Sequence, residues 1–418
     1  MKAFPAYNKM QREVEVKGHL IDSMILTKIF DRIMDLNGEF EVLEFKIGKE
    51  KNDYSYAKLL VRGKNTKHLQ TILEEVHREG AVPVKLQSAN FKTAPKDMVM
   101  PDNFYSTTNH QTAVFVDGDW IEIENQMMDK AIVVDIAKKR AWCKPIREIR
   151  KGDMIVVGDA GVRIVPPERP REGMDVFQFM SSNASTEKPI QALAKRIADD
   201  MFATKKKRGK IVVVGGPAVV HTGASKSLAD LIRMGYVDVL LAGNALATHD
   251  IEYALLGTSL GIDLDNGTSR HKGHRNHMAA INEVFKAGSI AQLVQNGKLR
   301  RGIMYECVKN KVPFVLAASI RDDGPIPDVI IDMAKAQRLY KERVKDATMV
   351  LMLSTMLHSV AVGNMLPSSV KVVAIDINPA TVTKLLDRGT GQAVGVVSDI
   401  GVFLPMVVSY LKELENKR

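Results

Sequence analysis

The segment Thr268-Ser269-Arg270-His271-Lys272-Gly273-His274-Arg275-Asn276-His277 gathers three of the chain's ten histidines and three further cations into ten residues. A metal site is disfavoured, because no cysteine lies close by and the His-x-x-His-x-x-His spacing cannot turn all three rings to one face of a strand. An anion-binding and acid–base segment fits better. Arg275 can clasp a carboxylate through two parallel hydrogen bonds, and His274 or His277 titrates near neutrality. A solvated basic loop is the alternative. A second group, Ser319-Ile320-Arg321-Asp322-Asp323-Gly324-Pro325, directly follows the apolar run Phe314 to Ala318. Asp322 and Asp323 beside an arginine at a strand end can grip an ammonium group or exchange protons with an amine. Asp-Asp-Gly-Pro is also a common turn composition, but the position favours function.

Nearer the C-terminus, the apolar run Met349 to Leu353 leads into Ser354, Thr355, Met356, Leu357 and His358, and then into a helix-like stretch. A second apolar run, Lys371 to Ile375, ends at Asp376, about twenty residues after that turn, which is the βαβ spacing of a dinucleotide site. The turn's N–H groups and helix dipole would hold a pyrophosphate, and Asp376 would accept from ribose hydroxyls. An acid at that position favours NAD over NADP. Asn378 and the next strand end, Val397 with Asp399, complete this edge. The Gly-x-Gly-x-x-Gly fingerprint is absent, and parallel strands also end in Asp without any nucleotide. A glycine-rich turn, Gly215-Gly216-Pro217, follows Ile211 to Val214, and Gly243-Asn244-Ala245 follows Val237 to Ala242. If the strands are parallel, both turns and Asp322 share one sheet edge with Ser354, and Asp322 can also reach a nicotinamide ribose. These glycines equally suit tight strand-to-helix turns. Asn244 is more informative, since a polar side chain at a strand's carboxyl end can hydrogen-bond a ligand.

At 418 residues and 45% hydrophobic, the chain exceeds one ordinary core and is expected to form several domains. Residues 1–95 read as strand, helix, strand, strand, helix, strand, a ferredoxin-like α+β domain. Residues 96–170 read as a small β-rich domain of short strands between turns such as Val116-Asp117-Gly118-Asp119. Its end, Pro166 to Arg171, is the linker candidate. Residues 171–418 alternate Val/Ile/Leu-rich strands with helical stretches, the pattern of a Rossmann-like parallel sheet covered on both faces. The strand candidates are 211–214, 237–242, 314–319, 349–353, 370–375 and 393–397. Two cysteines, Cys143 and Cys307, exclude a disulfide framework and fit a reducing cytoplasm. No apolar run approaches the roughly 20 residues of a membrane span. The net charge of +10 suits an anionic cofactor or substrate. With aromatics at 6% there is no base-stacking pattern, so no nucleic-acid partner is expected.

Taken together, the chain resembles the archaeal-type ornithine cyclodeaminases, the family carrying the LOR/SDH conserved region. The residues that carry the resemblance are Ser106-Thr107-Thr108-Asn109-His110, Glu124-Asn125-Gln126-Met127-Met128-Asp129, Gly273 to His277 with Ala280-Ile281-Asn282, Gly302 to Lys309, and Ser319 to Pro325. The resemblance implies a dinucleotide domain like that of deoxyhypusine synthase, which accounts for the missing glycine fingerprint. It also implies conversion of L-ornithine to L-proline and ammonia with catalytic NAD. Hydride leaves the α-carbon, the δ-amine attacks the resulting imine, ammonia departs and the hydride returns. On this reading Arg275 clamps the carboxylate, while Asp322, Asp323, Glu306 and His274 move protons. Asn109 and Asp129 close the pocket from the β-rich domain, and the protein is a homo-oligomer. Similar cyanobacterial proteins are fused to an arginine dihydrolase module with no counterpart in this sequence, so an arginine-degrading step is expected to come from another protein. The competing readings are a net saccharopine-type dehydrogenase and an NAD-sensing regulatory module.

Overall fold

The computed structural model describes residues 10–21, 24–48, 53–84, 87–165, 189–264, 267–268, 276–322, 324–387 and 393–416. The chain divides into two compact units, Met1–Gly173 with Leu366–Ser368, and the remainder.

The first unit opens with β1 (Met10–Gly18), α1 (Ile25–Asp35), β2 (Glu39–Lys46), β3 (Ser55–Gly63), α2 (Thr66–Arg78) and β4 (Val82–Pro83). The sheet order is β2-β3-β1-β4, antiparallel throughout, which is the ferredoxin-like arrangement expected. Strand β3 shows why: Ser55, Ala57, Leu59, Val61 and Gly63 are buried and the residues between them are not. The buried set meets Ile29 and Ile33 of α1 and Leu69, Ile72 and Val76 of α2 in one core. Asn65 caps α2 by accepting the His68 N–H at 2.8 Å.

A second sheet of the same unit takes β5 (Asn90–Thr93), β6 (Gln111–Val116), β7 (Asp119–Glu124), β8 (Ala131–Asp135), β9 (Arg140–Lys144), β10 (Met154–Val157) and β11 (Val162–Val165) in the order β11-β6-β7-β9-β8-β10-β5. Asp117 and Gly118, at φ 49° and 91°, make the two-residue turn between β6 and β7. Strand β5 falls inside the span expected for the first domain, yet pairs with β10 here. The Pro166 to Arg171 segment lies outside the described residues.

The second unit runs α3 (Ile190–Lys206), β12 (Lys210–Gly215), α4 (Ala218–His221), α5 (Ser225–Arg233), β13 (Val239–Gly243), α6 (Asn244–Leu256), and the hairpin β14 (Thr258–Ser259) and β15 (Ile262–Asp263). It continues with α7 (Asn276–Ala287), α8 (Ile290–Gln295), α9 (Ile303–Lys309), β16 (Phe314–Ala317), β17 (Val329–Ile330), α10 (Met333–Val344) and β18 (Ala347–Leu353). It closes with α11 (Met356–Gly363), β19 (Lys371–Asp376), α12 (Pro379–Asp387), β20 (Ala393–Val397) and α13 (Ile400–Asn416). All six expected strands are present. Two-residue β17, too short for a periodic signal, joins them in a parallel sheet of order β17-β16-β13-β12-β18-β19-β20. From β12 the chain steps outward through β13, β16 and β17, then returns to β18 and steps out the other way. The order therefore reverses between β12 and β18, and in open α/β sheets the crevice at such a reversal is where ligands bind. No helix among the described residues is long and apolar enough to cross a membrane.

Candidate functional site

At the reversal, Gly215 ends β12 and the Gly216 N–H donates to the Leu353 carbonyl at 2.8 Å. A Cβ on Gly216 would stand 2.1 Å from the Ser354 carbonyl oxygen, so only a glycine lets the two turns cross this closely. Ser354 itself sits at φ 50°, and its N–H donates to Ile375 at 2.9 Å. A non-glycine residue in the left-handed region costs about 1–3 kcal/mol, a strain characteristic of ligand-binding turns. Thr355 then leads into α11, whose first turn exposes Met356 (46%) and Leu357 (69%). Ile320 and Ile377, in the loops after β16 and β19, are likewise exposed at 107% and 69%. This edge therefore carries a rim of uncovered apolar side chains around polar turns, which suits the faces of a planar ring system.

The acids of the edge are anchored locally. Asp376 accepts the Asn378 N–H at 2.8 Å through Oδ1, and Asn378 in turn accepts the Ala380 N–H at 2.9 Å at the start of α12. Asp399 does the same for α13, accepting the Gly401 N–H at 2.6 Å, while half-buried Val397 ends β20. Asn378 and Asp399 thus have helix-capping work of their own. At the end of β16, Asp322 accepts the N–H and hydroxyl of Ser319 at 2.8 and 3.3 Å. Asn244 is buried at the start of α6, and its Oδ1 accepts the Ile326 N–H at 3.2 Å, tying the loop after Asp322 to the end of β13. Gly243 and half-buried Ala245 flank it.

His358, unassigned by sequence reasoning, completes this group. Its ring lies against Gly243, where a Cβ would be 3.0 Å from Cε1, and its Nδ1 is 3.1 Å from the Thr355 hydroxyl. Burial pushes its pKa below the ordinary histidine value, while the Asp322 carboxylate pulls it up. Gly215, Gly216, Gly243, Asn244, Asp322, Ser354, Thr355 and His358 therefore share one sheet edge.

A second group escaped the sequence reading. His221 in α4 contacts the Ser259 hydroxyl through Nδ1 at 2.7 Å, and its ring lies 4.7 Å from that of His249. His249 contacts Glu252 at 2.9 Å. Buried Glu252 also accepts from the Thr258 hydroxyl and from the N–H groups of Leu260 and Gly261. Burial alone would raise the Glu252 pKa, but these donors hold it below the usual carboxylate value. Desolvation and the neighbouring His249 push His221 down to about 4. The signal available in sequence was polar residues such as Thr248, His249, Asp250 and Glu252 inside a helix buried nearly all round.

Glu306 requires correction. Its carboxylate pairs with the Arg233 guanidinium at 2.7 Å and with Asn310 at 2.8 Å, buried on α9, which feeds the opposite, amino-terminal end of β16. It braces α5 against α9 and stands away from the Ser354 edge, so it is no proton carrier at that crevice. Asn109 and Asp129 belong to the first unit, where Thr107 stitches their two loops together by donating to Met127 and accepting from Lys130. His274, Arg275 and Asp323 lie outside the described residues.

Residues 195–407 match the family model described as arginine dihydrolase ArgZ-like, C-terminal, Rossmann fold; residues 111–194 match its first region and residues 11–110 the LOR/SDH bifunctional enzyme conserved region. The chain is 57% identical over 411 residues to an ornithine cyclodeaminase of Methanocaldococcus jannaschii, covering 97% of each. It is 43% identical to the bifunctional arginine dihydrolase/ornithine cyclodeaminase ArgZ of Synechocystis, covering 96% of this chain and 58% of that one. Among solved structures, a conserved putative LOR/SDH protein from Methanococcus maripaludis is 52% identical with a TM-score of 0.76, covering 79% of this chain and all of the other. The ternary complex of AgrE with ornithine and NAD⁺ is 40% identical with a TM-score of 0.54, covering 99% and 59%.

Proposed function

Because this chain belongs to the LOR/SDH conserved-region family of archaeal-type ornithine cyclodeaminases, we propose that it converts L-ornithine to L-proline and ammonia by lending and recovering a hydride through NAD. The observation that carries the reading is the reversal of strand order at β12 and β18, where Gly216 and Ser354 cross at a distance only glycine allows. The backbone there fits a pyrophosphate, and Asp376 keeps a second carboxylate oxygen for ribose hydroxyls after Oδ1 caps Asn378. Bound NAD would supply a reversible hydride acceptor at the α-carbon, so the reaction has no net redox change.

The remaining work falls to side chains. Asp322, held by Ser319, faces the crevice as the carboxylate that steadies an ammonium or takes a proton from it, with His358 the neighbouring group that senses its charge. Once the α-carbon is an imine, the δ-amine must be held against it, and the nitrogen that leaves must be protonated. Arg275 as carboxylate clamp, His274 and Asp323 as further proton carriers, and Asn109 and Asp129 as closing groups belong to this proposal on the strength of the sequence pattern.

The test is to incubate purified protein with NAD⁺ and ornithine carrying deuterium at the α-carbon, measuring proline, ammonia and NADH together. Proline that keeps the label, with ammonia in equal amount and no accumulating NADH, is the expected result. Proline that has lost the label to water would refute hydride return, and NADH without proline would select a net dehydrogenase.

A further inference from the structure

The first unit contains a cavity of about 120 Å³ bounded by β1, α2 and β4 on one side and by β7 and the turn 159–162 on the other. Its floor is apolar: Val14, Ala81, Val82 and Val162 are buried there, and Leu73 and Trp120 flank them. Its rim is charged in both signs. Arg12, two residues before Val14 and so on the same side of β1, has no carboxylate partner among the described residues. Glu74, one turn along α2 from Gln70, receives the Gln70 amide on Oε1 at 3.1 Å and keeps its other oxygen. Asp159 stands on the opposite wall.

That wall is held in place by backbone. The Gly161 carbonyl accepts the Phe115 N–H at 2.7 Å, the Phe115 carbonyl accepts the Ala89 N–H at 2.8 Å, and a Cβ on Gly161 would meet the Ala89 nitrogen at 2.3 Å. Trp120 is fixed as well, with the Arg163 guanidinium 4.3 Å over its ring.

We propose that this cavity is a binding site for a free α-amino acid with a compact apolar side chain. Arg12 receives the α-carboxylate, Glu74 and Asp159 the α-ammonium, and the side chain rests on Val14, Leu73 and Val82 beside Trp120. A rim of both charges over an apolar floor complements a zwitterion with an apolar body better than a simple anion or cation. A long cationic side chain finds no carboxylate on that floor. An occupant would bridge the two sheets of the unit.

The chain has two tryptophans, Trp120 and Trp142, so intrinsic fluorescence of the full-length protein without NAD reports on the cavity directly. Titration with valine, leucine, proline and ornithine should give a saturable change with the apolar amino acids and little with ornithine. Trp120→Phe should lose the optical signal while calorimetry still detects binding. Arg12→Ala or the milder Arg12→Gln should weaken binding roughly tenfold or more, the loss expected for a charge-assisted hydrogen bond, with ornithine turnover unchanged. No saturable signal or heat with any apolar amino acid, a response to ornithine alone, or unaltered affinity in both Arg12 variants would each overturn the site. None of these readouts needs catalysis, so the cyclodeaminase reading stands or falls separately.

Discussion

Replacing Gly216 by alanine tests the crossing at the centre of the site. The backbone there is not left-handed, so the constraint is space alone: the added Cβ would sit 2.1 Å from the Ser354 oxygen and 2.9 Å from the Thr355 Cβ. The obstacle is mostly backbone, and it cannot swing aside without loosening the 2.8 Å hydrogen bond from Gly216 to Leu353. Overpacking of this kind costs about 1–3 kcal/mol and a lost hydrogen bond about 0.5–1.5 kcal/mol more. For a unit of this size the sum, roughly 1.5–4.5 kcal/mol, corresponds to a fall in Tm of roughly 3–18 °C. NAD affinity should fall with it, because the Ser354 turn must move. Gly215→Ala is the control: its Cβ would meet the Leu246 Cδ1 at 2.7 Å, the far end of a flexible side chain that can rotate away. Calorimetric unfolding and NAD titration of both variants decide the matter. A Gly216→Ala protein with native Tm and native NAD affinity, or a Gly215→Ala protein equally damaged, would refute the close-approach argument.

Asp376→Ala should lower NAD affinity roughly tenfold or more by removing the ribose acceptor, and unchanged affinity by titration would reject that role. Glu306→Gln weakens the bond to Arg233 and should reduce thermal stability while leaving kcat intact; a large loss of kcat at unaltered Tm would restore Glu306 to the chemistry. His221 has a folded pKa of about 4, below its unfolded value, so the unfolded chain binds more protons between these values. Stability should therefore fall as pH drops from about 7 towards 4, and His221→Gln should flatten that part of the Tm–pH profile. A profile identical to that of the wild type would show that His221 is not a source of the dependence. Asp322→Asn should abolish most turnover, and should shift the His358 titration seen by NMR further downward because the raising charge is gone; an unmoved His358 would separate the two residues.

Much of this edge was legible because continuous Val and Ile runs announce buried parallel strands, and the residue after each run then lies at one edge. That logic located Gly216, Asn244, Asp322, Ser354 and Asp376 from spacing alone. It misassigned Glu306, since a carboxylate within a block of family resemblance looks the same whether it faces a substrate or, as here, Arg233, some seventy residues away. His221, His249 and Glu252 stayed invisible for a related reason. His249 and Glu252 lie three residues apart on α6, but His221 comes from α4 and joins them only when the two helices pack together. His358 was within sight, directly after Leu357 of the assigned turn, but its contact with Gly243 depends on β13 standing two strands from β18. Strand β17, with two residues, offers no period to read.

The position of β12 also bears on how the chain is made. Its neighbours are β13, close behind in sequence, and β18, whose Thr348 lies 138 residues after Lys210. At ribosomal speeds of about 5–20 residues per second, roughly 7 to 28 s pass before that second neighbour emerges. During that interval an entirely apolar strand, Ile211 to Val214, waits with one row of N–H and C=O groups unpaired. The nascent chain therefore carries an open, adhesive edge for about a third of its synthesis, 138 of 418 residues. Slowed translation between codons 240 and 347 is thus a predicted hazard for aggregation, and a holding chaperone would be of greatest use in that same window.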